Sequence, residues 1–135
     1  MNAESKLSAI IVDDSSLFRA HLTVALENRG FDIVGKAVNG VAGAAMILRL
    51  KPTLAILDYE MPIWDGLTAL QAVRARNNET RIFVVSATIN EERLKSLLAA
   101  GADAILTKPI DLGKLNDAVF QHVLSPPVPQ PGVAS

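Results

Sequence analysis

The sequence predicts a doubly wound α/β domain, a parallel sheet with helices on both faces, and three observations carry that expectation. Short apolar runs recur along the chain, and three are followed by a charged residue. Ala9-Ile10-Ile11-Val12 leads into Asp13 and Asp14, Leu54-Ala55-Ile56-Leu57 into Asp58, and Ala104-Ile105-Leu106-Thr107 into Lys108. Continuous apolar runs of this length read as strands buried on both faces. Between the runs, apolar residues recur at helical spacing, which makes the units alternate as βα pairs. Half of the 135 residues are hydrophobic but only 4% are aromatic, so the core is aliphatic.

The elements follow in order. Leu7–Val12 is the first strand. Leu17, Ala20, His21, Val24 and Ala25 then recur at helical spacing, with Gly30 placed as a C-terminal cap. Phe31–Ala37 reads as the second strand, Asn39-Gly40 as a turn, and Val41–Leu50 as an amphipathic helix. The third strand is Leu54–Asp58 and the third helix Gly66–Arg76. Arg81–Ser86 is the fourth strand; Asn90-Glu91-Glu92 starts a helix, an N-cap followed by acids, that ends at Gly101. Ala104–Thr107 is the fifth strand, and Asp111 caps a last helix reaching about Val123. The expected domain is therefore 1–124. From Ser125 the sequence Ser-Pro-Pro-Val-Pro-Gln-Pro-Gly-Val-Ala-Ser suits an extended tail, or the start of a linker, over 125–135.

Bulk properties narrow the function. A net charge of −1 and a pI near 6.1 leave no basic footprint for nucleic acid or an acidic membrane surface. With no cysteine there is no disulfide, thiolate metal site or cysteine nucleophile. The N-terminal residues lack the apolar stretch of a signal peptide, and no apolar run is long enough to span a bilayer, so a soluble cytoplasmic protein is expected.

The chemistry is expected where the charged residues gather. In an open α/β sheet, ligands bind beyond the carboxyl ends of the strands. Five acids fall at or just after such ends: Asp13, Asp14, Asp58, Glu60 and Asp65. Clustered carboxylates repel one another, so the set predicts a bound cation, and Mg²⁺ is typically held by one or two carboxylates with waters and phosphate oxygens. One of Asp13 and Asp14 could instead cap the helix that begins near Ser15. Asp58 could be a metal ligand, a nucleophile toward a phosphoryl group, or both. Ser86 could donate to a phosphoryl oxygen, and Lys108, followed by Pro109, could clamp the same group. Singly, each also has an ordinary structural reading; jointly they supply one phosphoryl-transfer site from four strand ends. His21 and His122 have no partners at metal-ligand spacing and read as surface or packing residues. Trp64 is either a partner contact or a packed loop aromatic, and Arg74, Arg76 and Arg81 beside Glu79 read as a solvated, salt-bridged face.

In these residues the chain resembles the receiver domain of two-component response regulators. The resemblance rests on Ile-Val-Asp-Asp-Ser (11–15), Leu-Asp-Tyr-Glu-Met-Pro-Ile-Trp-Asp-Gly-Leu (57–67), Val-Val-Ser-Ala (84–87) and Gly-Ala-Asp-Ala-Ile-Leu-Thr-Lys-Pro (101–109), and covers about Leu7 to Leu124. It implies a flavodoxin-like strand order 2-1-3-4-5. It implies Asp58 as phosphoacceptor, and Mg²⁺ held by Asp13, Asp14, Asp58 and the backbone carbonyl of Glu60. Ser86 is implied as the hydroxyl that moves onto the phosphoryl group, and Lys108 as the cation that pairs with it. The implied partners are a histidine kinase or histidine phosphotransfer protein upstream, and downstream a protein target or an output domain outside this chain; direct nucleic-acid or membrane binding is not expected. Such a domain catalyses only its own phosphorylation and dephosphorylation. Two alternatives remain beside it: a phosphohydrolase with an aspartyl nucleophile, and a non-phosphorylated interaction module of the same fold. The chain departs from the family at Ile105, where many receivers carry Tyr or Phe. Glu60 and Thr88 sit where the family varies and where the lifetime of an aspartyl phosphate is tuned.

Overall fold

The computed structural model describes residues 7–124. Parallel strands β1 (Leu7–Val12), β2 (Phe31–Ala37), β3 (Leu54–Asp58), β4 (Arg81–Ser86) and β5 (Ala104–Thr107) form one sheet in the order β2-β1-β3-β4-β5. They alternate with α1 (Ser16–Glu27), α2 (Gly40–Leu50), α3 (Gly66–Arg74), α4 (Glu91–Ala100) and α5 (Leu112–Val119), and a π-helical turn, Phe120–Leu124, ends the domain. The expected fold class and strand order are both present. The Pro-rich segment from Ser125, and with it the 125–135 boundary, lies outside the described residues.

Strand pleating splits the apolar runs between two layers. Ile11, Ile56, Phe83 and Val85 face α1 and α5, packing with Leu22, Leu26 and Leu115. Ile10, Val12, Leu57 and Val84 face α2, α3 and α4, packing with Ile47, Leu70 and Leu97. A residue in β3 thus meets apolar atoms whichever way it points, which is why that strand carries no polar residue before Asp58.

Each helix begins at a side-chain cap. Ser15, Asn39, Asp65, Asn90 and Asp111 accept from the N–H groups of Phe18, Ala42, Thr68, Arg93 and Lys114, respectively. Three expectations change here. Asn39-Gly40 is the first turn of α2 rather than a separate turn, because the Asn39 side chain satisfies an orphan N–H. The cap of α1 is Ser15 and neither Asp13 nor Asp14, which leaves both acids available at the strand end. Asp65 is spent as the cap of α3, its Oδ1 2.8 Å from Thr68 N, so it does not belong to the acid cluster. Helix ends also differ: α1 stops at Glu27, with Gly30 turning the chain at φ +91°, and α3 stops at Arg74. The last helix is α-helical only to Val119; the wider turn after it carries His122 against Phe83, ring centroids 6.0 Å apart.

Candidate phosphoacceptor site

Strand register assembles the site. Val12 pairs with Leu57, Asp58 with Val85, and Ser86 with Thr107, so the residues at or just beyond these ends fall on one edge. Backbone bonds continue the ladder past the strands: Asp13 N donates to Ala37 O at 3.0 Å, Tyr59 N to Val85 O at 2.8 Å, and Lys108 N to Ser86 O at 2.9 Å. The edge lies at the switch point where the chain leaves β1 toward β2 on one side and β3 on the other, so the loops diverge and open a crevice. Gly66 closes the loop after β3. Its N–H donates to Tyr59 O at 2.8 Å, and a Cβ at this position would stand 2.8 Å from Asp58 O, so a side chain there would push the loop off Asp58. Within that loop Ile63, a β-branched residue, takes φ +72° and is 73% exposed, a strained conformation beside the site.

Asp13, Asp14 and Asp58 each place a carboxylate oxygen so that all three lie within 4.8 Å of one another. Asp13 and Asp58 are buried and Asp14 is exposed, which leaves the cluster a path to solvent. Lys108 Nζ reaches Asp13 Oδ2 at 2.9 Å and Asp58 Oδ1 at 3.2 Å, and sits 4.4 Å from the Phe18 ring centroid. Asp13 is anchored from behind: Oδ1 accepts from Ser15 N at 2.8 Å, and its carbonyl accepts from Arg19 Nη1 at 2.6 Å. Its buried Oδ2 has the ammonium beside it but accepts no aligned hydrogen bond. Three acids against one cation leave net negative charge, and a buried, under-coordinated carboxylate oxygen fits a hard cation with oxygen ligands.

Burial, and then the charge of Asp13, push the Asp58 carboxyl from its ordinary 3.8 up to about 6, against the pull of Lys108 and of the Glu60 N–H. For Lys108 burial works the other way, but its close pairing with Asp13 and Asp58 outweighs it and raises its pKa. At neutral pH Asp58 is therefore mostly ionised, yet more basic than a solvated carboxylate, which suits a nucleophile.

Ser86 is fully buried at the end of β4, but its hydroxyl is engaged elsewhere. Oγ lies 2.7 Å from Glu60 Oε2 and 2.8 Å from Thr88 O, and it accepts from Thr88 N at 3.1 Å and from Arg93 Nη1 at 3.2 Å. Arg93 also donates to Glu60 Oε2 at 2.9 Å and to Thr88 O at 2.8 Å, and its guanidinium lies 3.9 Å from the centroid of the Tyr59 ring. Arg93 is the residue that reading the sequence missed. Its signal was the Asn90 cap, which sets the phase of α4 and places Arg93 in the first turn, where side chains lean back toward the helix start.

Other expectations resolve into packing. Trp64 is half-buried against the second core layer, and its Cβ would stand 2.7 Å from a Cβ at Gly40. Arg74 pairs with Asp103 at 2.9 Å rather than with Glu79, tying α3 to the start of β5, and Arg81 donates to the carbonyl of His122. Ile105 is half-buried against the second layer.

Comparison with known proteins agrees with this geometry. The family model described as the response regulator receiver domain matches residues 9–120. The chain belongs to that family: it is a receiver domain of two-component response regulators, and its pocket of Asp13, Asp14 and Asp58 fits a phosphoacceptor site. The chemotaxis protein CheY of Halobacterium salinarum is 34% identical over 110 residues, covering 82% of this chain and 91% of that protein. The Probable C4-dicarboxylate response regulator DctR of Priestia megaterium is 30% identical over 122 residues, covering 90% of this chain; the chain spans about half, 54%, of that relative. Among solved structures, a CheX–CheY–BeF3–Mg complex from Borrelia burgdorferi superposes with a TM-score of 0.83 at 27% identity, covering 90% of this chain and 93% of that one. Among the described residues no helix is long and apolar enough to cross a membrane.

Proposed function

We propose that Asp58 accepts a phosphoryl group from the phosphohistidine of a histidine kinase or histidine phosphotransfer protein. The observation that carries this reading is the placement of a buried, basic carboxylate at the end of a central strand, 3.2 Å from Lys108 and facing Asp13 and Asp14. In the transfer an Asp58 oxygen forms a bond to phosphorus as the phosphorus–nitrogen bond breaks. The electron pair of that bond stays on the imidazole, and Lys108 pairs with the phosphoryl oxygens. Asp13, Asp14, Asp58 and the Glu60 carbonyl would hold Mg²⁺, which when bound supplies positive charge to the transferring group. Ser86 then donates to a phosphoryl oxygen, and the shift of the Ala87–Asn90 loop passes the change to α4. Because Ile105 is β-branched and stiff at χ1, the output runs through this loop rather than through a swinging ring on β5.

Receiver domains of this kind are typically signalling modules rather than enzymes. Because DctR is about twice as long as the aligned region, an output domain or separate protein target acting on the α4–β5–α5 face is the downstream partner that fits, in the cytoplasm. Incubation with acetyl phosphate and Mg²⁺ should add one phosphoryl group per chain, seen by intact mass and mapped to Asp58. An Asp58→Asn chain modified to the same extent, or wild-type modification independent of Mg²⁺, would refute the assignment.

A further inference from the structure

A serine hydroxyl has one proton to donate and two lone pairs. At Ser86 both lone pairs are taken, by Thr88 N and Arg93 Nη1, and two acceptors, Glu60 Oε2 and Thr88 O, compete for the single proton. None of these partners is Asp58 or Lys108. Ser86 thus cannot donate toward Asp58 without losing bonds it already has. Three of the groups around this hydroxyl also meet at one nitrogen: Arg93 Nη1 reaches Glu60 Oε2, the Thr88 carbonyl and Ser86 Oγ, and its guanidinium rests on Tyr59, the residue after Asp58.

We propose that Arg93 is a positioning residue for phosphoryl transfer. It latches Glu60, Ser86 and the Thr88 carbonyl in the resting arrangement, and this latch opens before Ser86 engages a phosphoryl group on Asp58. The proposal rests on Asp58 as phosphoacceptor. Arg93 lies on the first turn of α4, so the latch also pins that helix against the loop after β3. A ligand that needs the open arrangement binds with an affinity reduced by the fraction of molecules open. Weakening the latch therefore strengthens binding. Simple electrostatics runs in the opposite sense, since removing a cation beside the site and leaving Glu60 unpaired disfavours an anion.

The probe is beryllofluoride, an anionic mimic of the phosphoryl group, titrated into the full chain at saturating Mg²⁺ and followed by calorimetry. Arg93→Ala should tighten binding about two- to threefold, the range expected for one partly exposed ion pair with its hydrogen bonds. Arg93→Lys keeps the charge but loses the planar group that lies on the Tyr59 ring and sets Nη1 against the three oxygens, and should also tighten it. The gain should vanish in a Ser86→Ala background, where no hydroxyl is left to release; a role confined to folding α4 would not respond to Ser86. Unchanged or weaker beryllofluoride binding by both Arg93 variants overturns the latch, as does a gain that persists without Ser86. Wild-type protein that fails to bind beryllofluoride overturns instead the assignment of Asp58.

Discussion

The site has two halves that are built differently. Asp13, Asp58 and Lys108 come from strand ends, are largely withdrawn from water, and are held by the sheet itself. Glu60, Arg93 and Thr88 come from loops and from α4; Glu60 and Thr88 are exposed, and they meet around Ser86. The first half holds like charges together at a cost the fold must cover, so its variants should change stability. The second half holds a position, and its partners can rehydrate when separated, so its variants should change the resting arrangement more than the folding free energy.

The largest effect is expected at Lys108. Lys108→Ala leaves Asp13 and Asp58 facing each other without a cation. Breaking a buried pair costs about 3–5 kcal/mol, and the partial exposure of Lys108 lowers this to about 2–3 kcal/mol at pH 7.5 without divalent metal. Urea unfolding measures it; a loss below the error of the extrapolation would show that water already screens the acids and would remove the contrast.

Asp58→Asn should act in the opposite direction. The Asp58 carboxyl titrates near 6 when folded against an ordinary 3.8, so between these values the folded state binds more protons than the unfolded one. Stability from this group is present below the unfolded value and is lost as pH rises through about 6. The two-unit shift corresponds to about 3 kcal/mol, reduced by solvent at the mouth of the site, so the amide should stabilise the metal-free protein by about 1–2 kcal/mol at pH 7.5. The gain should shrink toward zero near pH 4. A gain independent of pH would locate the effect in packing rather than in charge.

The two halves were also unequally legible. β3 and β4 run over the ranges that their apolar runs mark, because a strand buried on both faces tolerates few other residues. Asp13, Asp14, Asp58 and Lys108 inherit that legibility, since strand ends of one parallel sheet must share an edge. Asp65 shows the limit: as a loop acid it looked like another member of the cluster, yet one hydrogen bond to Thr68 N makes it a cap. Arg93 was hidden for the same reason. Its partners Glu60 and Tyr59 lie more than thirty positions away, in a loop whose path depends on the close return of Gly66, and no periodic pattern records such a contact.

The smallest effect is expected at Arg93, and it is the sharpest test of the contrast. Arg93 contributes an ion pair to a Glu60 side chain that is 43% exposed, and after truncation both Glu60 and the Thr88 carbonyl can bind water. Exposed pairs contribute about 0.2–1 kcal/mol, so Arg93→Ala should lower stability by about 0.5 kcal/mol. Solvent-exposed charges are screened within about 3 Å at 1 M ionic strength, whereas buried ones are not. The Arg93 effect should therefore fade as NaCl is raised to about 1 M, while the Lys108→Ala loss persists. Matched denaturation curves at low and high salt decide it. If the Arg93 loss equals that of Lys108 and resists salt, Ser86 is held by a buried network, and the two halves of the site are a single electrostatic unit.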